Sequence, residues 1–190
     1  SCEACHGPAS LHLAWAERPP MARTPLENFG LVVTAAGQDA RGQVELCAPC
    51  HSRRMPLGEY RHGEDDFLDG FLPETLAEGM YHADGQILDE VYVYGSFVQS
   101  KMFDNDVSCS DCHESHSLKL KFEGNDLCLQ CHLGETYDSY DHHFHKKIHE
   151  GKPSDGALCV KCHMPEQPYM LIDGRTNTSN MVTRPDLTHT

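Results

Sequence analysis

The sequence contains no run of 18 apolar residues and a single tryptophan, Trp15, and aromatic residues make up only 8% of its 190 positions. The first absence excludes a bilayer-spanning helix. The scarcity of rings leaves little ordinary side-chain material for an interior, so something other than side chains is expected to help fill it. Basic residues are few as well. Fifteen Lys and Arg stand against 29 Asp and Glu, a formal charge of −14. That balance argues against a nucleic-acid or anionic-membrane surface and favours cationic partners. The chain opens at Ser1-Cys2 with no charged segment leading into an apolar one, so a signal peptide is expected to have been removed or to lie upstream. What the chain has in excess is cysteine, ten residues, and histidine, fourteen.

All ten cysteines fall into Cys-x-x-Cys pairs, and a histidine follows each pair at once: Cys2-Cys5-His6, Cys47-Cys50-His51, Cys109-Cys112-His113, Cys128-Cys131-His132 and Cys159-Cys162-His163. Five histidines in five such places have a chance probability on the order of 10⁻⁶. Thiols three residues apart on one helical turn can each add to a vinyl group of haem, and the next residue then sits under the iron as proximal ligand. The pattern therefore implies five covalently bound haem c groups. A disulfide framework does not call for the histidines. A zinc ribbon could use Cys109-Cys112 with Cys128-Cys131, fifteen residues apart, but five pairs cannot all be matched into four-thiol sites. A thioredoxin-type motif would occur once, beside a βαβ pattern.

Five haems in 190 residues leave 38 residues each, too few for separate modules, so a single domain over 1–190 is expected, with the haems sharing walls. The proximal histidines are spaced 45, 62, 19 and 31 residues apart, which makes the third and fourth haems near neighbours. The expected fold class is mainly α with large irregular content and little or no β-sheet: short helices at the haem sites joined by irregular chain. Residues 18–42, with Pro19, Pro20 and Pro25, read as an extended loop with at most a short element at Leu31 to Val33. Pro73 to Gly79 reads as a short helix with Pro in its first turn and Gly at its stop. Leu88 to Met102 leans helical despite strand-like residues Val91 to Tyr94. Residues 176–190 read as an extended tail.

Nine histidines remain as sixth ligands. His116, three residues past His113, could face away from its own haem on a helical turn toward a neighbour, and His12, six past His6, follows similar logic. His142 and His145 share a face at i,i+3 in the cluster that also holds His143 and His149. His82 is a further candidate. His62 and His189 read as solvated residues among charges or in the tail, with His189 kept as a candidate ligand for a neighbouring copy. Methionine could substitute as a ligand, but Met164 lies too close to His163 to serve that iron.

Several strings between the motifs carry a resemblance: Ser1-Cys-Glu-Ala-Cys-His-Gly-Pro8 with His12 and Ala14-Trp15-Ala16, Tyr81-His82-Ala-Asp-Gly-Gln86, Glu90 to Phe97, Val107 to His113 with His116-Ser117, Asn125 to His132, and Cys159 to Pro165 with Tyr169-Met170 and Arg184 to Leu187. Nearly the whole chain resembles the multihaem cytochrome region, related to cytochrome c554, of proteins that often carry tetratricopeptide repeats. Such proteins usually have two further haem motifs upstream and helical repeats downstream, so this chain resembles their later five-haem portion. Where that family commonly has Arg-Arg-x-His-Ser, this chain has Arg175 to Ser179 with Thr178 in the histidine's place. The resemblance implies His12, His82, His116, His142 and His145 as distal ligands. It also implies export to the periplasm or beyond, where covalent haem attachment takes place.

Two-histidine ligation implies electron relay rather than catalysis, with redox proteins bearing cationic surfaces as partners. Two other readings share the motifs. One is a reductase of a small nitrogen or sulfur compound at a five-coordinate haem. The other is a subunit of an extracellular filament with haem contacts between copies.

Overall fold

The computed structural model describes residues 2–74, 76–164, 166–171 and 181–185, with side chains to residue 164. It is a string of short helical turns and two-stranded ladders. In chain order the first elements are α1 (Glu3–His6), α2 (Ser10–Ala16) and α3 (Ala40–His51), then β1 (Arg54–Pro56), α4 (Phe67–Gly70), β2 (Phe71–Pro73) and α5 (Tyr94–Val98). There follow α6 (Cys109–Cys112), β3 (His113–Glu114), β4 (Lys119–Leu120), α7 (Asp126–Leu129), α8 (Gly134–Tyr137) and α9 (Tyr140–His143). The last are β5 (Ile148–His149), β6 (Lys152–Pro153), α10 (Cys159–His163), β7 (Glu166–Leu171) and β8 (Met181–Pro185). The strands pair only as antiparallel hairpins, β1 with β2, β3 with β4, β5 with β6 and β7 with β8. The mainly helical, largely irregular class expected from the sequence is the one found.

The longest helix, α3, is the one with an ordinary buried stripe. The Asp39 carboxylate caps its start by accepting from the Gly42 N–H at 2.8 Å. Ala40, Val44 and Ala48, four residues apart, form its buried face, and the Ser52 hydroxyl donates to the Ala48 carbonyl at its end. Phe67, with no exposed surface, packs near the rings of Phe71 and Tyr94. Tyr81, Ile87 and Val91 make a second small cluster. Trp15 lies against Phe29 and donates its ring N–H to the Thr24 carbonyl at 2.6 Å.

Four local expectations are corrected. Residues 76–79 are not helical: Phe71–Pro73 joins β1 instead, and the Glu74 N–H continues that pairing to the Arg53 carbonyl at 2.7 Å. Within Leu88 to Met102 only Tyr94–Val98 forms an α-helix, because Tyr92 takes a left-handed conformation (φ 61°) that breaks any earlier start. The 18–42 segment is an irregular loop with 3-10 turns at Pro20–Ala22 and Glu27–Gly30, but α3 already begins inside it at Ala40. In the expected tail, Met181–Pro185 is a strand paired with Glu166–Leu171, while 176–180 and 186–190 lie outside the described residues.

Candidate haem sites

The five motifs share one local geometry with one exception. Cys2, Cys5 and His6 lie on the turn of α1, where the His6 N–H bonds the Cys2 carbonyl at 3.0 Å. Cys47, Cys50 and His51 form the end of α3, and Cys159, Cys162 and His163 span α10. Cys128 begins a turn that runs past α7, and the His132 N–H bonds the Cys128 carbonyl at 3.0 Å. The third motif differs. Its thiols share α6, whose Ser108 and Asp111 form a reciprocal capping box, but His113 is extended (φ −107°, ψ 141°) and opens β3.

None of the ten thiols is in a disulfide. They meet across motifs instead. The Cys47 and Cys109 thiols are hydrogen-bonded; that bond and burial push Cys47 up, while the same bond holds Cys109 below the ordinary thiol value. Cys128 and Cys159 meet likewise, and burial first, then the neighbouring sulfur, pushes Cys128 up to about 11. Burial also raises Cys112 and Cys159. Among the described residues no three His, Cys, Asp or Glu side chains converge on a bare metal ion. The partnership of Cys128 with Cys159 also differs from the sulfur set of a ribbon.

The candidate ligands are placed as follows. His6 donates its Nδ1–H to the Val33 carbonyl at 2.9 Å, since a carbonyl can only accept, and so presents Nε2 as a lone pair. His12 is oriented in the same way by the Phe29 carbonyl at 2.9 Å. That carbonyl is delivered by three successive left-handed residues, Asn28, Phe29 and Gly30. At Gly30 a Cβ would stand 3.2 Å from the His12 backbone, so a glycine is needed.

His116 sits in the turn of the β3–β4 hairpin rather than on a helical turn. The Glu114 carboxylate fixes that turn by accepting from the His116 and Ser117 N–H groups. The His116 ring lies near-parallel to that of His6, with centroids 6.1 Å apart and planes 20° apart. His142 on α9 and His163 on α10 form a second such pair at 6.1 Å and 14°. Tyr137 stands edge-on to both His132 and His142.

The shared face expected for His142 and His145 does not form, because Phe144 is left-handed (φ 58°) and ends α9. His145 turns to Gly156 instead. His143 accepts from the His145 backbone N–H through Nδ1 at 3.2 Å, which puts its ring proton on a buried Nε2 that faces Asp138 at 3.9 Å. That arrangement suits a buried donor better than an iron ligand. His82 lines a cavity of about 550 Å³ with Glu78, Tyr81, Asp84 and Gln99, a volume in the range of small-molecule sites. His149 is exposed on β5. His62 is not merely solvated, because its Nε2 donates to the Cys5 carbonyl at 3.2 Å. His189, the tail residue kept for contacts between copies, lies outside the described residues.

These residues fit haem c. An iron held by two imidazoles at roughly 2 Å each would set their ring centres about 6.3 Å apart, and three near-parallel histidine pairs stand close to that separation, of which His6 with His116 and His142 with His163 join separate elements while His143 with His145 joins neighbours in one turn. Apolar side chains around the later motifs are left uncovered by protein, among them Leu118, Leu133, Phe144 and Ile148. When bound, haem c supplies a one-electron iron couple at each site.

Contacts that spacing could not foresee join the motifs. The Gln43 carbonyl oxygen accepts from the Ser110 N–H at 3.3 Å, tying α3 to α6. The Gln130 amide donates to the Asp111 carbonyl at 3.4 Å, so the third and fourth motifs are neighbours, as their 19-residue interval implied. Asn125 reaches the fifth motif from the fourth. Its place just before α7 is a helix-start signal, but nothing local shows where the side chain goes.

Among the described residues no helix is long and apolar enough to cross a membrane. The family description "Doubled CXXCH motif" matches residues 101–136, the stretch that holds the third and fourth motifs. No curated protein and no solved structure matches the chain. The chain is therefore of the multihaem c-type cytochrome kind, binds haem c covalently through these motifs, and belongs with proteins of electron transfer.

Proposed function

We propose that the chain is a pentahaem electron relay whose irons are each held between two histidines, with no catalytic residue. The two imidazole pairs carry the reading: His6 with His116, and His142 with His163. A separation near 6 Å is the one that two imidazoles sharing an iron would have. The first and fifth irons are assigned these pairs, and His12, His82 and His145 are left for the other three. Hydrogen bonds between consecutive motifs order the attachments. Gln43 of α3 holds Ser110, Gln130 holds Asp111, and Asn125 holds Cys159, so groups two to five follow one another. The first joins beside the third through His116.

Resemblance between the motifs supports reading the chain as the later five-haem portion of the cytochrome c554-related, repeat-bearing family. Covalent attachment implies export to the periplasm or beyond. The net charge of −14 steers cationic redox partners, an attraction that weakens with salt.

Intact mass should exceed the polypeptide by five haems. Low-temperature electron paramagnetic resonance of the oxidised protein should show low-spin ferric signals alone. A stoichiometric high-spin signal would overturn the relay. His116→Ala should convert one haem to high spin, and an unchanged spectrum would remove that assignment.

A further inference from the structure

We propose that Asn125 is the positioning residue that sets the fourth haem attachment against the fifth. The inference rests on the reading of the chain as a covalent haem carrier.

The Asn125 amide spends both its donors and one lone pair of its oxygen on segments far away in sequence. Its Nδ2 donates to Asp138 Oδ1 at 2.9 Å and to the Ala157 carbonyl at 2.8 Å, and its Oδ1 accepts from the Cys159 N–H at 2.9 Å. An N–H needs an acceptor and a carbonyl needs a donor, so chemistry fixes which way the amide points. Cys159 is the first residue of α10, and its N–H is one of the orphan donors of a helix start. Leu158, at the capping position, has no side-chain acceptor, and Asn125 supplies it from 34 residues away.

The backbone carbonyl of Asn125 meanwhile accepts from the Cys128 and Leu129 N–H groups and so starts the fourth motif's own turn. One residue thus begins α7 with its main chain and caps α10 with its side chain. Asp138 anchors the far side: Lys147 donates to its second oxygen at 2.6 Å. The first residue of α10 is thereby held beside the start of the fourth motif's turn. A thioether fixes each haem to its own turn only, so the angle between the two turns, and with it the approach of the two cofactors, depends on this clamp.

The test compares haem-loaded wild type with Asn125→Ala. Both should show the same number of haems by intact mass. The variant should lose part of the Soret circular-dichroism couplet that closely packed chromophores produce, and at least one reduction potential should move. In wild type, the Cys159 amide should exchange slowly with solvent despite opening a five-residue helix. An unchanged couplet and unchanged potentials at equal haem content would overturn the proposal, as would a fast-exchanging Cys159 amide. If the variant does not accumulate, the wild-type amide decides alone. A wild type without covalent haem would sink the functional reading, while Cys159 protection would still judge the clamp.

Discussion

Residues 2–100 and 101–164 are held together by different means. Ten of the eleven buried apolar side chains among the described residues lie in the first region, and Ala157 is the exception. The first region carries two haem motifs and the second three. The first has α3 with its buried stripe, Phe67 among other rings, and the Tyr81 cluster. The second has helices of four or five residues, too short to persist by themselves. Both regions expose large apolar side chains, Met21 and Phe29 in the first, Leu118 and Leu133 in the second. Charge divides likewise: all seven lysines lie between 101 and 161, while the first hundred residues carry fifteen acidic against six basic side chains, every one of the latter arginine. The difference teaches that protein packing supports the second motif, on α3, whereas the later ones are tied by polar side chains such as Asn125 and Gln130 and, on the proposed reading, by cofactors.

The comparison is most severely tested by removing one attachment. Cys128→Ser with Cys131→Ser should open residues 101–164 to limited proteolysis, mapped by mass spectrometry, while Cys2→Ser with Cys5→Ser should leave 40–100 resistant. Equal resistance in both would break the contrast. Next in size, Phe67→Ala should cost about 3–5 kcal/mol in denaturant unfolding, as expected for a filled aromatic site. Leu133→Ala, beside His132, should cost about 1–3 kcal/mol in the haem-loaded protein despite its exposure in the polypeptide. A cost under about 0.5 kcal/mol there would mean that water, not porphyrin, covers it.

Asp39→Ala should destabilise α3 by about 0.5–2 kcal/mol through the lost cap, read as a lower unfolding midpoint. The smallest effect concerns acid. Hydrogen bonds from the Arg61 guanidinium and backbone hold the Asp65 carboxyl below the ordinary range. A carboxyl depressed in the folded state contributes fully at neutral pH and loses that contribution as pH falls through its folded value. Asp65→Asn should therefore flatten the stability profile on the acid side only, in a pH series of unfolding midpoints.

Much of the site was legible in the residues. The ten thiols and five following histidines are read from a three-residue rule, because thioether attachment is local chemistry, and the short helical turns at four of the motifs follow. His113 escaped that rule: its pairing with Leu120 pulls it into an extended hairpin. His142 and His145 escaped an equally local rule, since a single left-handed residue, Phe144, ends the helix between them. The misread helix at Pro73 to Gly79 shows the same limit. Proline and glycine marked boundaries correctly in kind, but the partner strand Arg54–Pro56 decided what lay between them.

Composition and spacing by themselves pointed to the cofactor type and to the five candidate attachment motifs, since each depends on residues a few positions apart or on simple totals. Tertiary structure alone decided which imidazole faces which, which thiols meet and where the Asn125 amide goes. His6 and His116 are 110 residues apart, and no periodicity reaches that far. Their approach depends on hairpins, left-handed turns and polar clamps that act together only once the chain has folded.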